Sequence, residues 1–291
     1  MTKPAEAIER FQQYLQRRHY AAHTMVNYTF DLQVFFSDRP RRVESVTHRD
    51  VEQFLSRQHE QGLAATTINR RLHAIKHLFD FLLEEGRVLG NPIKPSHFLR
   101  LGRPLPKGLT PSEVKALFAC IRNPLDQALF LVMLRGGLRV SESVNLKLSH
   151  IEWEEQALWI EQGKGGKDRR VYLSPDALAS LKACVALRPS HAVDEWVFWN
   201  QKRPQSRLTD KAVQKKIERY AKTAGLHASC HTLRHTFASN LLEHGAEIVS
   251  IKDLLGHASA ASSERYARAS NHKVKQEYLE TMKKVMRQTK L

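Results

Sequence analysis

The chain has 291 residues, of which 42% are hydrophobic and 26% charged, so it can bury a core in one large domain or two smaller ones. Lys and Arg number 46 against 30 Asp and Glu, and the net charge of +16 with a pI ≈ 9.9 indicates a polyanion as the partner. Only three widely separated Cys occur, with no membrane-length apolar run and no secretory signal, which argues against a disulfide framework or a membrane protein and favours a reducing, cytoplasmic location.

The first 90 residues are predicted to form an all-helical domain. Apolar residues recur at helical spacing in four segments, near residues 5–15, 24–35, 47–58 and 66–79. Thr residues precede the later segments as candidate caps, and Gly62 and Gly86 follow the third and fourth. Residues 1–90 are therefore expected to be one helical unit.

The fourth predicted helix has a basic face opposite its apolar stripe. A run of charges is usually a solvated face, but this one holds cations and no acid before Asp80. A helix that is apolar on one side and basic on the other is typical of contact with a nucleic-acid backbone. The residues predicted to contact DNA here are Arg70, Arg71, His73, Lys76 and His77.

A proline-rich segment separates this domain from the rest of the chain. Residues 91–109 contain four prolines and several cations, and proline both fixes φ and lacks the N–H of a regular element. We expect an extended linker here, followed by a second domain over residues 110–291.

The second domain is predicted to be mainly α with a small β-hairpin or sheet. Thr110-Pro111-Ser112-Glu113 and Asn123-Pro124 are helix starts, and further helices begin at Ser174-Pro175 and Thr209. Alternating apolar residues lie on both sides of the loop GKGGK, which predicts a β-hairpin. The remainder is expected to be helical.

The stretch CHTLRHTF, residues 230–237, first suggests a metal site. His231 and His235 lie four apart, as zinc-binding histidines do on a helix. However, Thr232 stands where HExxH has its Glu, and no acid follows before Glu243. Arg234 shares the face of His231, and a permanent cation disfavours binding of a dication. A His and an Arg on one face instead favour an anion, and in a basic protein that anion is a phosphodiester.

Four more positions can converge on the same anion, although each also has an ordinary structural interpretation. Arg139 follows a glycine turn, where Glu142 can orient it, and is otherwise a helix-end ion pair. Lys164 lies in the hairpin turn and is otherwise a solvated lysine. His257 follows a helix end and is otherwise a cap, and Tyr266 is otherwise a core aromatic.

The motifs follow one another in the order GLRVSE, GKGGKDR, HTLRH, LLGH and then a tyrosine nine residues after His257. This order resembles that of the tyrosine recombinases, most of all the Xer-type branch. The resemblance covers nearly the whole chain. It implies a two-domain clamp, with a helical core-binding domain and a catalytic domain of the tyrosine recombinase type. It implies that Arg139 and Arg234 hold the scissile phosphate, that Lys164 is the general acid, and that Tyr266 is the nucleophile. His231 and His257 correspond to paired polar positions at the phosphate.

The resemblance also implies partners and a reaction. DNA would be cleaved through a 3′-phosphotyrosine and resealed by a 5′-hydroxyl, with no metal or other cofactor. The partners would be a double-stranded DNA core site and a homo- or hetero-tetramer on a synaptic complex. A terminal helical stripe, Val274, Tyr278, Met282 and Val285, would dock in trans on a neighbouring subunit, with packing in its own chain as the alternative. Lys211 and Lys215, on the helix that begins at Thr209, are also expected to reach the DNA.

Some departures and alternatives remain. GGLR replaces the usual TGLR, Arg135 competes with Arg139, and ASSERYARAS differs from the family's Thr-rich stretch. Tyr172, Tyr220 and Tyr278 are rival nucleophiles. The other candidate functions are a type IB topoisomerase, a non-catalytic DNA-binding protein and a metal-dependent nuclease. Dimer resolution, integration and transposon resolution all stay open.

Overall fold

The computed structural model describes residues 2–37, 42–102, 108–161, 168–189, 195–256 and 267–289, with the side chains of residues 267–273 left out of the description. It divides into two compact units, Met1–Pro104 and Leu105–Leu291. The division falls inside the segment predicted to be a linker.

The first unit contains the four predicted helices, α1 (Pro4–Arg17), α2 (Ala22–Ser37), α3 (His48–Glu60) and α4 (Ala65–Glu84). Their apolar stripes meet in one core that includes Phe11, Leu32, Phe54, Leu72 and Phe79. Short 3₁₀ segments occur at Val43–Ser45 and Pro95–His97.

The first part of the predicted linker packs on this unit. Ile93 is buried in its core. Asn69, near the start of α4, bonds both backbone groups of Leu99, donating to its carbonyl and accepting from its N–H at 2.9 Å each. Residues 91–102 are therefore attached to the helical unit, because a buried Asn side chain can satisfy the backbone of a segment that lacks regular hydrogen bonding.

The second unit combines helices with two small sheets. The helices are α5 (Pro111–Ala119), α6 (Pro124–Gly136), α7 (Val140–Val144), α8 (Pro175–Ala186), α9 (Asp210–Thr223), α10 (Cys230–Glu243), α11 (Ile248–Leu255) and α12 (Ala267–Gln288). The strands are β1 (Ile151–Glu152), β2 (Ala157–Ile160), β3 (Arg169–Tyr172), β4 (Trp199–Asn200) and β5 (Arg203–Arg207).

The predicted hairpin is confirmed by β2 and β3, which pair antiparallel with Ile160 opposite Arg169. Strand β1 extends this sheet, and β4 and β5 form a second one. The sequence reasoning missed the second sheet, because β5 reads Arg-Pro-Gln-Ser-Arg, is mostly exposed and lacks the apolar alternation of a strand.

Local signals set the helix starts of this unit. Thr110 and Glu113 form a capping box at α5, and the Asn123 side chain accepts from two backbone N–H groups at the start of α6. Helix α6 is buried around most of its circumference and lies in the main core, against α8 and α10. It therefore provides a fixed support for the turn that follows it.

The terminal helix α12 packs on its own chain. Its stripe of Val274, Tyr278, Met282 and Val285 is buried in a cluster with residues of α10 and α11. The Tyr278 hydroxyl donates to the Arg135 carbonyl at 2.9 Å, and the Ser250 hydroxyl donates to Glu277 at 2.5 Å. The stripe is thus occupied within one chain. None of the described helices is both long enough and apolar enough to span a membrane.

Candidate active site

The turn between α6 and α7 places Arg139. Gly137 caps α6 in the left-handed conformation with φ 64°. A Cβ at this residue would lie 2.4 Å from the Phe237 ring, so glycine is required both by the backbone and by the packing. Arg139 then opens α7. Its N–H and its guanidinium donate to Glu142 at 2.7 and 2.6 Å, as the sequence led us to expect for Glu142.

Helix α10 places His231 and Arg234. The Ser229 side chain caps it by accepting from the Thr232 N–H at 3.2 Å. Arg234 is buried and its guanidinium donates to the Gly137 carbonyl at 2.5 Å. Burial and the neighbouring cation of Arg139 lower the pKa of Arg234 to about 10, so it stays protonated at neutral pH.

A third arginine joins the cluster, and the sequence reasoning missed it. Arg169 on β3 donates two bonds of 2.8 Å to the two carboxylate oxygens of Glu142. Arg169 lies two positions before the buried Val171, so both side chains are on the inner face of the strand. A charged residue at a position that the strand pattern predicts to be buried was the signal available in the sequence.

Glu142 is the common acceptor of this arginine cluster. It bonds Arg139 and Arg169, and lies 3.9 Å from the Arg234 guanidinium. Burial opposes its charged form, but the bonds and charge of Arg169, together with the bonds from Arg139, lower the pKa of the Glu142 carboxyl to about 2. Three guanidinium groups and one carboxylate leave this cluster with a net positive charge.

The end of α11 binds all three arginines. Three consecutive carbonyls at a helix C-terminus, where the dipole is negative, accept one guanidinium each. The pairs are Arg169 with Leu254 at 2.8 Å, Arg234 with Leu255 at 2.6 Å, and Arg139 with Gly256 at 3.3 Å. Secondary elements far apart in the chain are thereby held together at one point.

His231 lies beside this cluster and against a second imidazole. The His231 and His235 rings meet edge to face, with centroids 4.1 Å apart. Burial, the neighbouring His235 and the cations of Arg234 and Arg139 lower the pKa of His231. The neutral imidazole is therefore favoured at neutral pH, and it can accept a proton or donate a hydrogen bond.

The other three predicted catalytic residues, Lys164, His257 and Tyr266, lie outside the described residues. The described cluster thus contains three of the six predicted positions. It offers several guanidinium donors on a net positive support, an arrangement suited to a phosphate diester and to the negative charge that develops on it during attack.

Comparison with known proteins identifies the family of the chain. Residues 107–273 match the model of the phage integrase family, and residues 8–86 match the phage integrase N-terminal SAM-like domain. The tyrosine recombinase XerA of Pyrococcus horikoshii is 32% identical over 269 residues, covering 91% of this chain and 90% of that protein. The chain belongs to the phage integrase family. It is a tyrosine recombinase of the Xer type, an enzyme class that breaks and rejoins DNA strands in site-specific recombination.

Solved structures show the same fold. A lambda integrase dimer bound to a COC′ core site superposes with a TM-score of 0.72 at 19% identity, covering 91% of this chain and 100% of that one. A lambda integrase tetramer bound to a Holliday junction gives 0.71 at 20% identity, covering 91% and 80%.

The structure gives the rival residues of this recombinase structural roles. Arg135 is almost fully buried and bonds Asp176 and the Thr289 carbonyl. Tyr278 is buried, and burial raises its pKa. The Tyr220 hydroxyl donates to Asp126 at 2.8 Å. These groups take part in internal packing, so they are poor candidates for the phosphate site.

The predicted DNA-facing residues of α4 divide into two groups. Arg70 and His73 are exposed, and Arg70 also pairs with the buried Asp31. Lys76 pairs with Asp80 at 2.6 Å. Two residues also contact the interior of the unit: Arg71 pairs with Gln58 and Asp31, and His77 is half-buried against Tyr28.

The predicted residues of α9, Lys211 and Lys215, are both exposed. Their neighbour Lys216 instead turns inward and bonds Asp126 at 2.7 Å, which fixes α9 on the start of α6. Helix α9 therefore has an anchored face and a free basic face.

Proposed function

We propose that this recombinase cleaves DNA through Tyr266, with Arg139 and Arg234 binding the scissile phosphate. The observation that carries the proposal is the convergence of both guanidinium groups on Glu142 and the end of α11. Two pre-positioned cations can bind the non-bridging oxygens without reorganising when charge develops on them.

The remaining roles follow from the motif order. Tyr266 lies nine residues after His257 in the family pattern, and Lys164 lies between the residues of β2 and β3 in the sequence. The Tyr266 oxygen attacks phosphorus as its proton leaves, and the bond to the 5′ oxygen breaks. Lys164 gives that oxygen a proton, producing a 5′-hydroxyl and a 3′-phosphotyrosine. Attack by a 5′-hydroxyl of the partner duplex reverses these steps and releases Tyr266.

His231 fits this scheme as a neutral group beside the phosphate. An unperturbed tyrosine has a pKa of about 10, so its deprotonation needs nearby cations or an acceptor. Arg139 and Arg234 supply the cations, and His231, whose pKa is lowered, supplies the proton acceptor. The tyrosine proton and the phosphate charge are thus handled by protein side chains.

We propose double-stranded DNA and a tetramer as the partners. The lambda integrase structures that share this fold contain a core-site duplex and a tetramer on a Holliday junction. The exposed basic residues Arg70, His73, Lys211 and Lys215 are the proposed DNA contacts. A cytoplasmic location, where DNA is accessible, remains part of the proposal.

Docking of α12 in trans is also part of the proposal. A neighbouring chain has the same buried cluster of α10, α11 and β3 residues, so exchange of α12 would replace each contact of its stripe with an identical one. The exchange therefore costs little in contacts, and it would connect one active site to the next.

The test uses a nicked duplex that carries a site selected from random-sequence DNA for binding to this protein. We expect a covalent protein–DNA adduct in the presence of EDTA. Tyr266→Phe should bind the duplex but form no adduct, whereas Tyr220→Phe should still form it. Arg139→Ala and Arg234→Ala should each slow its formation on the order of 10²–10³-fold. An adduct with Tyr266→Phe, or one that EDTA abolishes, would overturn the proposal.

A further inference from the structure

We propose that Arg169 is a positioning residue of this recombinase, which occupies Glu142 and fixes the end of α11 so that Arg139 and Arg234 remain available to the scissile phosphate. The inference rests on the proposed function of Arg139 and Arg234. Arg169 is buried, with both terminal nitrogens on Glu142 and its Nε on the Leu254 carbonyl, so it acts on other protein groups and not on DNA.

Glu142 and the scissile phosphate compete for the same two arginines. Glu142 bonds Arg139 at 2.6 Å and lies 3.9 Å from Arg234, so its charge attracts the same guanidinium groups that the phosphate must bind. Arg169 holds both carboxylate oxygens in a fork, the strongest pairing geometry for a carboxylate. With Arg169 present, the three arginines and Glu142 carry a net charge of +2, and without it the charge falls to +1.

Arg169 also contacts the chain at the end of α11. Gly256 has φ +60°, and a Cβ there would lie 2.9 Å from the Arg169 Cδ and 3.1 Å from its Nη1. The Arg169 side chain therefore lies directly against the Gly256 backbone, and the next residue in the chain is His257. Arg169 thus fixes the point from which the segment bearing His257 departs.

Arg169 belongs to the hairpin of β2 and β3. Arg169 is the first residue of β3 and pairs in register with Ile160, the last residue of β2. It is therefore the first paired residue after the segment that contains Lys164. One side chain connects the start of β3, the carboxylate beside Arg139 and the end of α11.

The first experiment measures adduct formation on the nicked duplex at saturating DNA. We expect Arg169→Gln to lower the cleavage rate on the order of 10²-fold, the cost of a misplaced catalytic group, with the Kd for DNA within about threefold of wild type. Arg169→Lys keeps the charge but loses the fork, so its rate should be intermediate. The matched control is Arg170→Gln, which removes the next arginine along β3; its partner is Glu152 at 3.0 Å, and its rate should be near wild type.

A double variant separates charge competition from a general loss of packing. In Arg169→Gln the unpaired carboxylate should draw Arg139 and Arg234 away from the phosphate. Removing the charge of this carboxylate in the double variant Glu142→Gln/Arg169→Gln should therefore give a cleavage rate at least tenfold higher than that of Arg169→Gln. The inference is overturned if the rate losses of the single variants Arg169→Gln and Glu142→Gln simply multiply in the double variant. It is also overturned if Arg169→Gln cleaves within twofold of the wild-type rate.

The second experiment needs no DNA. Hydrogen–deuterium exchange of the peptide covering residues 248–257 should rise in Arg169→Gln and stay unchanged in Arg170→Gln. Unchanged exchange in Arg169→Gln overturns the positioning role whatever the activity. Raised exchange in a protein whose wild type forms no adduct would support that role and overturn the proposed function instead.

Discussion

At the scale of single residues, His235 gains a role that its spacing alone did not assign. It stands four residues after His231, which first suggested a metal pair, yet in the structure the two rings meet edge to face beside two arginines. Two imidazoles in contact disfavour simultaneous protonation, since each cation raises the cost of the other. His235 therefore helps keep His231 neutral.

This predicts a change in the titration of His231. In His235→Gln, the pKa of His231 should rise toward 6.5 but stay below it, because burial also lowers it. His235→Lys, which keeps a cation, should leave it at or below the wild-type value. The pKa is measured from the His231 ring proton shifts by NMR. Equal pKa values in wild type and His235→Gln would contradict the assignment, and His244→Gln at the far end of α10 is the control.

At the scale of elements, the site depends on how α6, α10 and α11 end or begin. Helix α6 ends at a left-handed glycine pressed on Phe237 of α10, and the carbonyl of that glycine binds Arg234. The end of α11 then accepts the three arginines. Helix ends carry unpaired backbone groups, and here these groups are the acceptors that orient Arg139 and Arg234, the side chains proposed to bind the phosphate.

This arrangement predicts the effect of Gly137→Ala on stability. An alanine would pay about 1–2 kcal/mol for the left-handed backbone and a further 1–3 kcal/mol for overpacking against Phe237. The control Gly225→Ala has a similar φ of +72° but no atom within 4 Å of the new Cβ, so only the first cost should appear.

Urea unfolding followed by tryptophan fluorescence reports on the second unit, because all four tryptophans lie in it. We expect Gly137→Ala to lower the free energy of unfolding clearly more than Gly225→Ala does. Equal losses in the two variants would show that the Phe237 contact is relaxed without cost.

At the scale of the whole molecule, the proposed tetramer gives α12 two alternatives, packing on its own chain or docking on a neighbour. Its stripe is buried against α10 and α11 of the same chain. In the proposed trans arrangement the same residues would meet the identical surface of a neighbour, so the choice would depend on the assembly and not on the contacts themselves.

Cross-linking separates the two positions. Ser250 and Glu277 bond at 2.5 Å across the contact between α11 and α12. In a background without the native cysteines, Ser250→Cys and Glu277→Cys are made in separate chains, mixed and treated with a short bismaleimide. We expect covalent dimers only when the DNA site is present. Efficient recombination without dimers would rule out docking in trans.

The local features of this protein were predictable because their causes lie within a few residues. The capping box at Thr110, the cap at Asn123, the antiparallel pairing of β2 with β3 and the glycine turn before Arg139 all follow from short-range backbone chemistry. The contact between Arg139 and Glu142 is of the same kind, since three positions separate them.

Contacts between residues far apart in the sequence could not be predicted in this way. Arg169 pairs with Glu142 across 27 positions, and Arg71, which resembles its exposed neighbour Arg70, turns to Gln58 and Asp31. Periodicity gives the face of an element but not the partner that a charged side chain finds there. Strand β5 was not predicted because it is mostly exposed and has no apolar face that would produce a strand pattern.

The sequence by itself determined the helical class, the order of the motifs, and the family to which they belong. The reason is that caps, turns and family motifs each consist of a few neighbouring residues. The tertiary structure alone decided which arginines meet, that Glu142 serves three of them, and that the last carbonyls of α11 hold them in place. A cation finds its partner through packing of distant elements in a low-dielectric interior, and that packing is a property of the folded chain.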